Sequence, residues 1–95
     1  MKAYFDKIFS ATTTDDVCKQ LQSALDSLRA HGYLAKLPDN YEHISAKNPD
    51  QVQDIFDDMK TDPQAEKEGP LREVFGLFDA ARSRLRQLGF HRKTV

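Results

Sequence analysis

The sequence predicts an all-α domain, a small bundle of three main helices plus a short N-terminal one. Two observations carry that prediction. Apolar residues recur three and four positions apart in three long segments, the spacing that places side chains on one face of a helix. Each segment is also bracketed by residues that start and stop helices on physical grounds. At 95 residues, 39% hydrophobic and 31% charged, the chain is expected to form one domain over 1–95 with a small core.

Residues 2–10 set Tyr4, Phe5, Ile8 and Phe9 in an i, i+1, i+4, i+5 pattern, a short helix with an aromatic face. Nine residues are too few for a helix stable on its own, so this one must dock. Thr12, Thr13 and Thr14 then offer N-caps, and Asp15 and Asp16 fall in a first turn where the helix dipole favours negative charge. Thr13 and Asp16 have capping-box spacing, although Asp reaches back less well than Glu. A helix over roughly 14–31 follows, with Val17, Leu21, Ala24, Leu25 and Leu28 on its apolar face and Cys18 at the border. Gly32 suits the left-handed residue after the last turn, and Tyr33 the hydrophobic contact that accompanies such a cap.

Residues 33–48 read two ways. Leu37, Tyr41 and Ile44 have helical spacing and Pro38 could open a helix, but Asp39-Asn40 is also a turn signal, so one or two helical turns around 39–46 are expected at most. The next start is well marked: Asn48 as N-cap, Pro49 at the first position and Gln51 completing a capping box. Val52, Ile55, Phe56 and Met59 form the apolar face of a helix over 49–60. Thr61 to Gly69 is polar, contains Pro63 and reads as a connection.

The longest stripe comes last. Pro70 opens a helix over 70–88, with Leu71, Val74, Phe75, Phe78, Ala81, Leu85 and Leu88 on one face and Gly89 as the terminating glycine. Residues 91–95 read as a frayed tail. Val17, Ala24, Leu28-Arg29 and Gly32-Tyr33 recur 57 positions later as Val74, Ala81, Leu85-Arg86 and Gly89-Phe90. Two amphipathic helices ending in one kind of cap would coincide in this way, and so would two duplicated halves.

Charge is unevenly spread along the chain. Segment 1–38 is +1, segment 39–70 is −6 and segment 71–95 is +4, around a net charge of −1. Such separation can steer a charged partner, or be neutralised internally if the acidic and basic segments pack side by side. Asp50, Asp54, Asp57 and Asp58 fall opposite the apolar face of helix 49–60 and form its outer surface. Arg82 lies inside the apolar arc of the last helix, between Leu71 and Phe75, where an arginine must snorkel, pair with an acid or point at a partner. Arg84 is near the other edge of the stripe and Arg86 lies beyond Phe75. Gly76 sits on the outward side of the helix interior, where Ala would be better by about 1 kcal/mol.

No catalytic or ligand motif is present. His31, His43 and His91 lack metal-ligand spacing, no calcium loop or phosphate-binding glycine loop occurs, and no cofactor or enzymatic activity is expected. The N-terminal apolar residues are interrupted by Asp6 and Lys7, no membrane span is expected, and a lone Cys18 points to a reducing, cytoplasmic setting. The expected function is therefore binding: an adaptor, regulator or inhibitor using charged helix faces, with Asp54, Asp57, Asp58, Arg82, Arg84, Arg86 and Arg92 as the partner-binding candidates. Surplus apolar surface at Tyr4, Phe5, Phe9 or Phe90 would suit a homodimer. The alternative is a nucleic-acid-binding protein using the basic C-terminal helix and tail.

Overall fold

The computed structural model describes residues 2–41 and 43–91 and consists of four α-helices: α1 (Lys2–Ser10), α2 (Thr14–Ala30), α3 (Pro49–Lys60) and α4 (Pro70–Gln87). The predicted boundaries hold to within a residue or two at each of them. Thr13 Oγ1 accepts from the Asp16 amide at 3.0 Å, and Asn48 Oδ1 from the Gln51 amide at 2.8 Å, so the expected N-caps form. Gln51 reaches back one residue further than a standard capping box, to the Lys47 amide at 2.7 Å.

α2 and α4 end identically. Gly32 and Gly89 take positive φ of 74° and 98°, which favours glycine. Tyr33 N–H donates to Leu28 O and Phe90 N–H to Leu85 O, each at 2.9 Å, while both glycine amides donate at 3.0 Å to Arg29 O and Arg86 O. Four of the matches at the 57-residue offset are the residues of this shared cap. Val17 and Val74, Ala24 and Ala81 are core positions on both helices. The flanking helices are joined differently: three residues link α1 to α2, nine link α3 to α4.

Between α2 and α3 the chain forms two short 3-10 turns, Leu34–Lys36 and Asp39–Tyr41; the second is the one helical turn that forms within the 39–46 span where one or two were expected. Leu34, Leu37, Tyr41 and Ile44 are nevertheless buried, so the apolar spacing there reflects a segment draped over the core. Polar contacts pin it: Arg29 Nη2 donates to Ile44 O at 2.8 Å, the Ala46 amide to Gln22 Oε1 at 2.7 Å, and Tyr41 O–H to Asp62 Oδ2 at 2.8 Å. The 61–69 connection holds a further 3-10 turn, Pro63–Glu66, whose Ala65 is buried.

α4 is the central helix, packed against α1, α2 and α3. Its buried surface is wider than the predicted stripe, because Leu77 and Ala80 join Leu71, Val74, Phe78, Ala81 and Leu85 in the core. Gly76 is half-buried rather than outward-facing. The reason is α1. The Phe5 ring lies over Gly76, and an added Cβ there would meet Phe5 Cζ at 3.4 Å. Two turns on, Arg84 Nε donates to the Ala11 carbonyl at 2.8 Å. Gly76, Ala80 and Arg84 therefore form an i, i+4, i+8 ridge along which α1 docks in parallel with α4. Ile8 is fully buried in that contact, a gain of about 1.5–3 kcal/mol, and Tyr4 O–H donates to Ser27 Oγ on α2 at 2.8 Å. This is the docking a nine-residue helix requires.

Candidate interaction surfaces

Arg82 is held within the fold. Its guanidinium carbon lies 4.3 Å from the centroid of Phe56 on α3, and Nη2 is 3.2 Å from Asp79 Oδ1 one turn earlier. Phe56 also stacks on Phe75, with centroids 5.3 Å apart and planes 17° from parallel. Phe75 and Arg82 are two turns apart on α4, about 10.5 Å, a gap that Phe56 fills from the neighbouring helix. Arg82 Nε is buried without a hydrogen-bond partner. The stem packs over the core and the head finds an aromatic face, the snorkelling arrangement among those the sequence allowed.

Arg84 is also engaged internally. Besides Ala11 O it reaches Gln87 Oε1 at 3.0 Å, so it clasps the α1–α2 corner to the end of α4. Arg86 is exposed, and Arg92 lies outside the described residues, as do residues 93–95 of the expected tail; His91 is exposed. The two described ion pairs, Arg29–Asp26 and Arg82–Asp79, are each within a single helix. Side-by-side packing of α3 and α4 thus employs Arg82 against an aromatic ring on α3.

Asp54, Asp57 and Asp58 are exposed on the outer side of α3, opposite the buried Val52, Phe56 and Met59. Gln53 Nε2 donates to Asp57 Oδ1 at 2.9 Å, one turn along the same surface. Their position relative to the helix ends differs from that of Asp50. Asp50 sits in the first turn, where the dipole stabilises a carboxylate; Asp57 and Asp58 occupy the last turn, where it opposes one.

A second surface follows α1, one that the charge pattern does not indicate. Phe9 is 47% exposed, the only large apolar side chain exposed to this degree among the described residues. One turn earlier Phe5 walls an open groove of about 660 Å³, completed by Gly76, Glu68, Gly69, Arg72 and Glu73. Glu73 accepts a hydrogen bond from the Tyr33 hydroxyl, which ties the end of α2 to the start of α4. Burial, followed by the Glu73 hydrogen bond and charge, pushes the Tyr33 phenol up to about 12. The sequence flags Phe5 and Phe9 as surplus apolar residues, but the groove needs Gly76 opposite Phe5, a juxtaposition across 71 positions.

The chain matches no protein-family model, no curated protein and no solved structure. The remaining candidate residues are structural or isolated. Cys18 is a buried free thiol whose pKa is raised to about 11 by burial and by the charge of Asp15. His31 Nδ1 lies 2.7 Å from Ser27 O at the end of α2. Among the described residues no three His, Cys, Asp or Glu side chains are grouped as a metal site, and no helix is long and apolar enough to cross a membrane.

Proposed function

We propose that the protein is a small cytoplasmic protein-binding module, an adaptor, regulator or inhibitor with no catalysis of its own, that presents the outer face of α3 to a basic surface on its partner and pairs with a second copy through α1. One observation carries the α3 reading: Asp57 and Asp58 are exposed at the end of the helix where the dipole disfavours them. Like charges at Asp54, Asp57 and Asp58, three and four apart, add a further cost of about 0.2–0.5 kcal/mol per pair. Exposed groups that work against local stability are expected where a surface serves binding. The apolar side of α3 is anchored by Phe56, so these carboxylates stand on a rigid element.

Nucleic acid as the partner has weaker support. Phosphate binding needs several cations free on one surface, and Arg82 and Arg84 are occupied by Phe56, Asp79 and Ala11.

Affinity capture from the native cell with the wild-type chain and an Asp57→Lys/Asp58→Lys variant tests the reading. The variant is expected to lose a partner that the wild type retains, while its stability stays equal or rises by about 0.3–1 kcal/mol per substitution as the dipole is complemented. Identical captured proteins would refute it, as would nucleic acid bound with steep salt dependence.

A further inference from the structure

α1 is held to the rest of the chain by few and separable contacts. Ile8 is the one buried side chain among its nine residues, against six on α2, three on α3 and seven on α4. Phe5 is half-buried, and the ridge it meets on α4 is built from small residues, Gly76 and Ala80, so the contact removes little apolar surface from water. By contrast, α2, α3 and α4 each pack against the other two. Leu21, Leu25, Val52, Met59, Phe78 and Leu85 are buried among them, so the three long helices keep a packed core without α1.

The link between α1 and α2 divides at Thr12. Ala11 belongs with α1: its amide donates to Ile8 O at 3.2 Å, its side chain is buried, and its carbonyl accepts from Arg84 Nε at 2.8 Å. Thr13 belongs with α2, whose Asp16 amide its side chain caps and whose Val17 amide donates to its carbonyl at 3.0 Å. Thr12 between them is exposed, so rotation there displaces no packed side chain of its own. The Arg84 guanidinium also reaches Gln87 Oε1 at 3.0 Å on its own helix, which orients it independently of α1.

We propose that α1 is a strap that opens as one unit about Thr12 while α2, α3 and α4 stay folded, with the Arg84–Ala11 hydrogen bond as its latch. A detached helix of nine residues is too short to persist in water, so release and melting of α1 are a single event. Opening bares the Gly76–Ala80 ridge of α4 and frees Tyr4, Phe5 and Ile8 from their contacts. Closing returns Ile8 to the core and the Ala11 carbonyl to Arg84. The device works through α1 and α4 and is independent of the reading of α3 as a partner surface.

Native-state hydrogen exchange on the full chain, at stepped urea below the unfolding transition, tests this. The urea dependence of an amide's exchange reports the surface exposed by the opening that releases it. The amides of residues 7–11 are expected to share one opening with a shallow urea slope, and protection about 10-fold or more below that of the slowest amides of α2–α4. Val52→Ala, which thins the core on α3, should accelerate those slowest amides by about 10-fold or more and leave residues 7–11 unmoved. Arg84→Met keeps the stem and removes the donor, and should accelerate residues 7–11 by about 10-fold or more with their slope unchanged. The strap is overturned if amides 7–11 follow the slope of the core, respond to Val52→Ala in step with it, or lose protection residue by residue from the N-terminus as in fraying. Rates at 7–11 that are indifferent to Arg84→Met would overturn Arg84 as the latch.

Discussion

Replacing Gly76 separates the docking of α1 from the intrinsic preferences of α4. Gly76 has ordinary helical backbone angles, so a side chain is not barred by φ. In an exposed helix interior, glycine to alanine stabilises by about 1 kcal/mol, because the unfolded chain loses freedom it no longer has to surrender on folding. The structure adds one contact to that sum: the new methyl would touch Phe5 Cζ at 3.4 Å and Cε1 at 3.8 Å, ordinary van der Waals distances at the far end of a side chain that can shift slightly. Gly76→Ala should therefore stabilise the domain by about 0.5–1 kcal/mol. At roughly 4–8 °C per kcal/mol for a domain of this size, the melting temperature should rise by about 2–8 °C.

Gly76→Leu reverses the sign. Its branched end would extend into the volume occupied by the Phe5 ring, which lies against Gly76 and walls the groove beside it. Either the ring leaves, giving up its half-buried area, or α1 lifts from α4 and takes Ile8 with it. Overpacking of this kind costs about 1–3 kcal/mol, which exceeds the propensity gain of a leucine in the helix. Thermal melts followed by circular dichroism, with amide hydrogen exchange across residues 2–10, report both outcomes. Comparable stabilisation by alanine and leucine, with α1 equally protected, would refute the placement of Phe5 over Gly76. So would a clear loss of stability with alanine.

Two further predictions concern groups fixed by packing. Arg82→Met should leave stability within about 1 kcal/mol of wild type or raise it, because it keeps the stem over Phe56 and removes a buried Nε that has no hydrogen-bond partner, whereas Arg82→Ala should cost about 1–2 kcal/mol in lost packing and cation–π contact; urea melts distinguish them. Stability should also fall as pH rises above about 10. Burial, then the Asp62 hydrogen bond and charge, holds the Tyr41 phenol up at about 12, and Tyr33 is raised similarly. The unfolded chain then releases these protons first, so the native state loses ground between about 10 and 12 and levels off above that. Tyr41→Phe should flatten part of the decline, measured by thermal melts at stepped pH alongside tyrosinate absorbance.

The elements legible in the sequence are those whose signals are local. Thr13, Asn48, Pro49, Pro70, Gly32 and Gly89 act within four or five residues of themselves, and each sits at the helix end it marks. The apolar faces of α2 and α3 are equally legible, since α2 packs chiefly by one side and α3 by the side that carries Phe56. α4 reads as having a single stripe because the other side it buries carries one large apolar residue, Leu77, beside Gly76 and Ala80, which are small and weakly hydrophobic and add no apolar signal around it. Their burial is decided by Phe5, Ile8 and Ala11 on another part of the chain. The 33–48 segment misleads in the opposite sense: Leu37, Tyr41 and Ile44 are spaced as in a helix, but side-chain bonds from Gln22 and Arg29 satisfy the backbone at Ala46 and Ile44 and hold the chain in a non-helical path.

The same dependence on neighbours governs the charged residues. Segment charges of −6 and +4 suggest two complementary surfaces, yet opposite sign is only one of the partners an arginine can take. Arg82 finds an aromatic ring and a carboxylate on its own helix, and Arg84 a backbone carbonyl left over where α1 turns into α2. The contacts with Phe56 and with Ala11 O tie α4 to different neighbours, so the basic helix uses these two cations as struts. Asp57 and Asp58 on α3 play no comparable part: Asp57 bonds within its own helix, Asp58 reaches beyond it only through its charge on the Tyr41 phenol, and neither suits the helix end it occupies. Removing the arginines should therefore be felt first in stability and removing the aspartates first in binding. A variant set in which Arg84→Ala abolished partner capture without altering the melt would break that division.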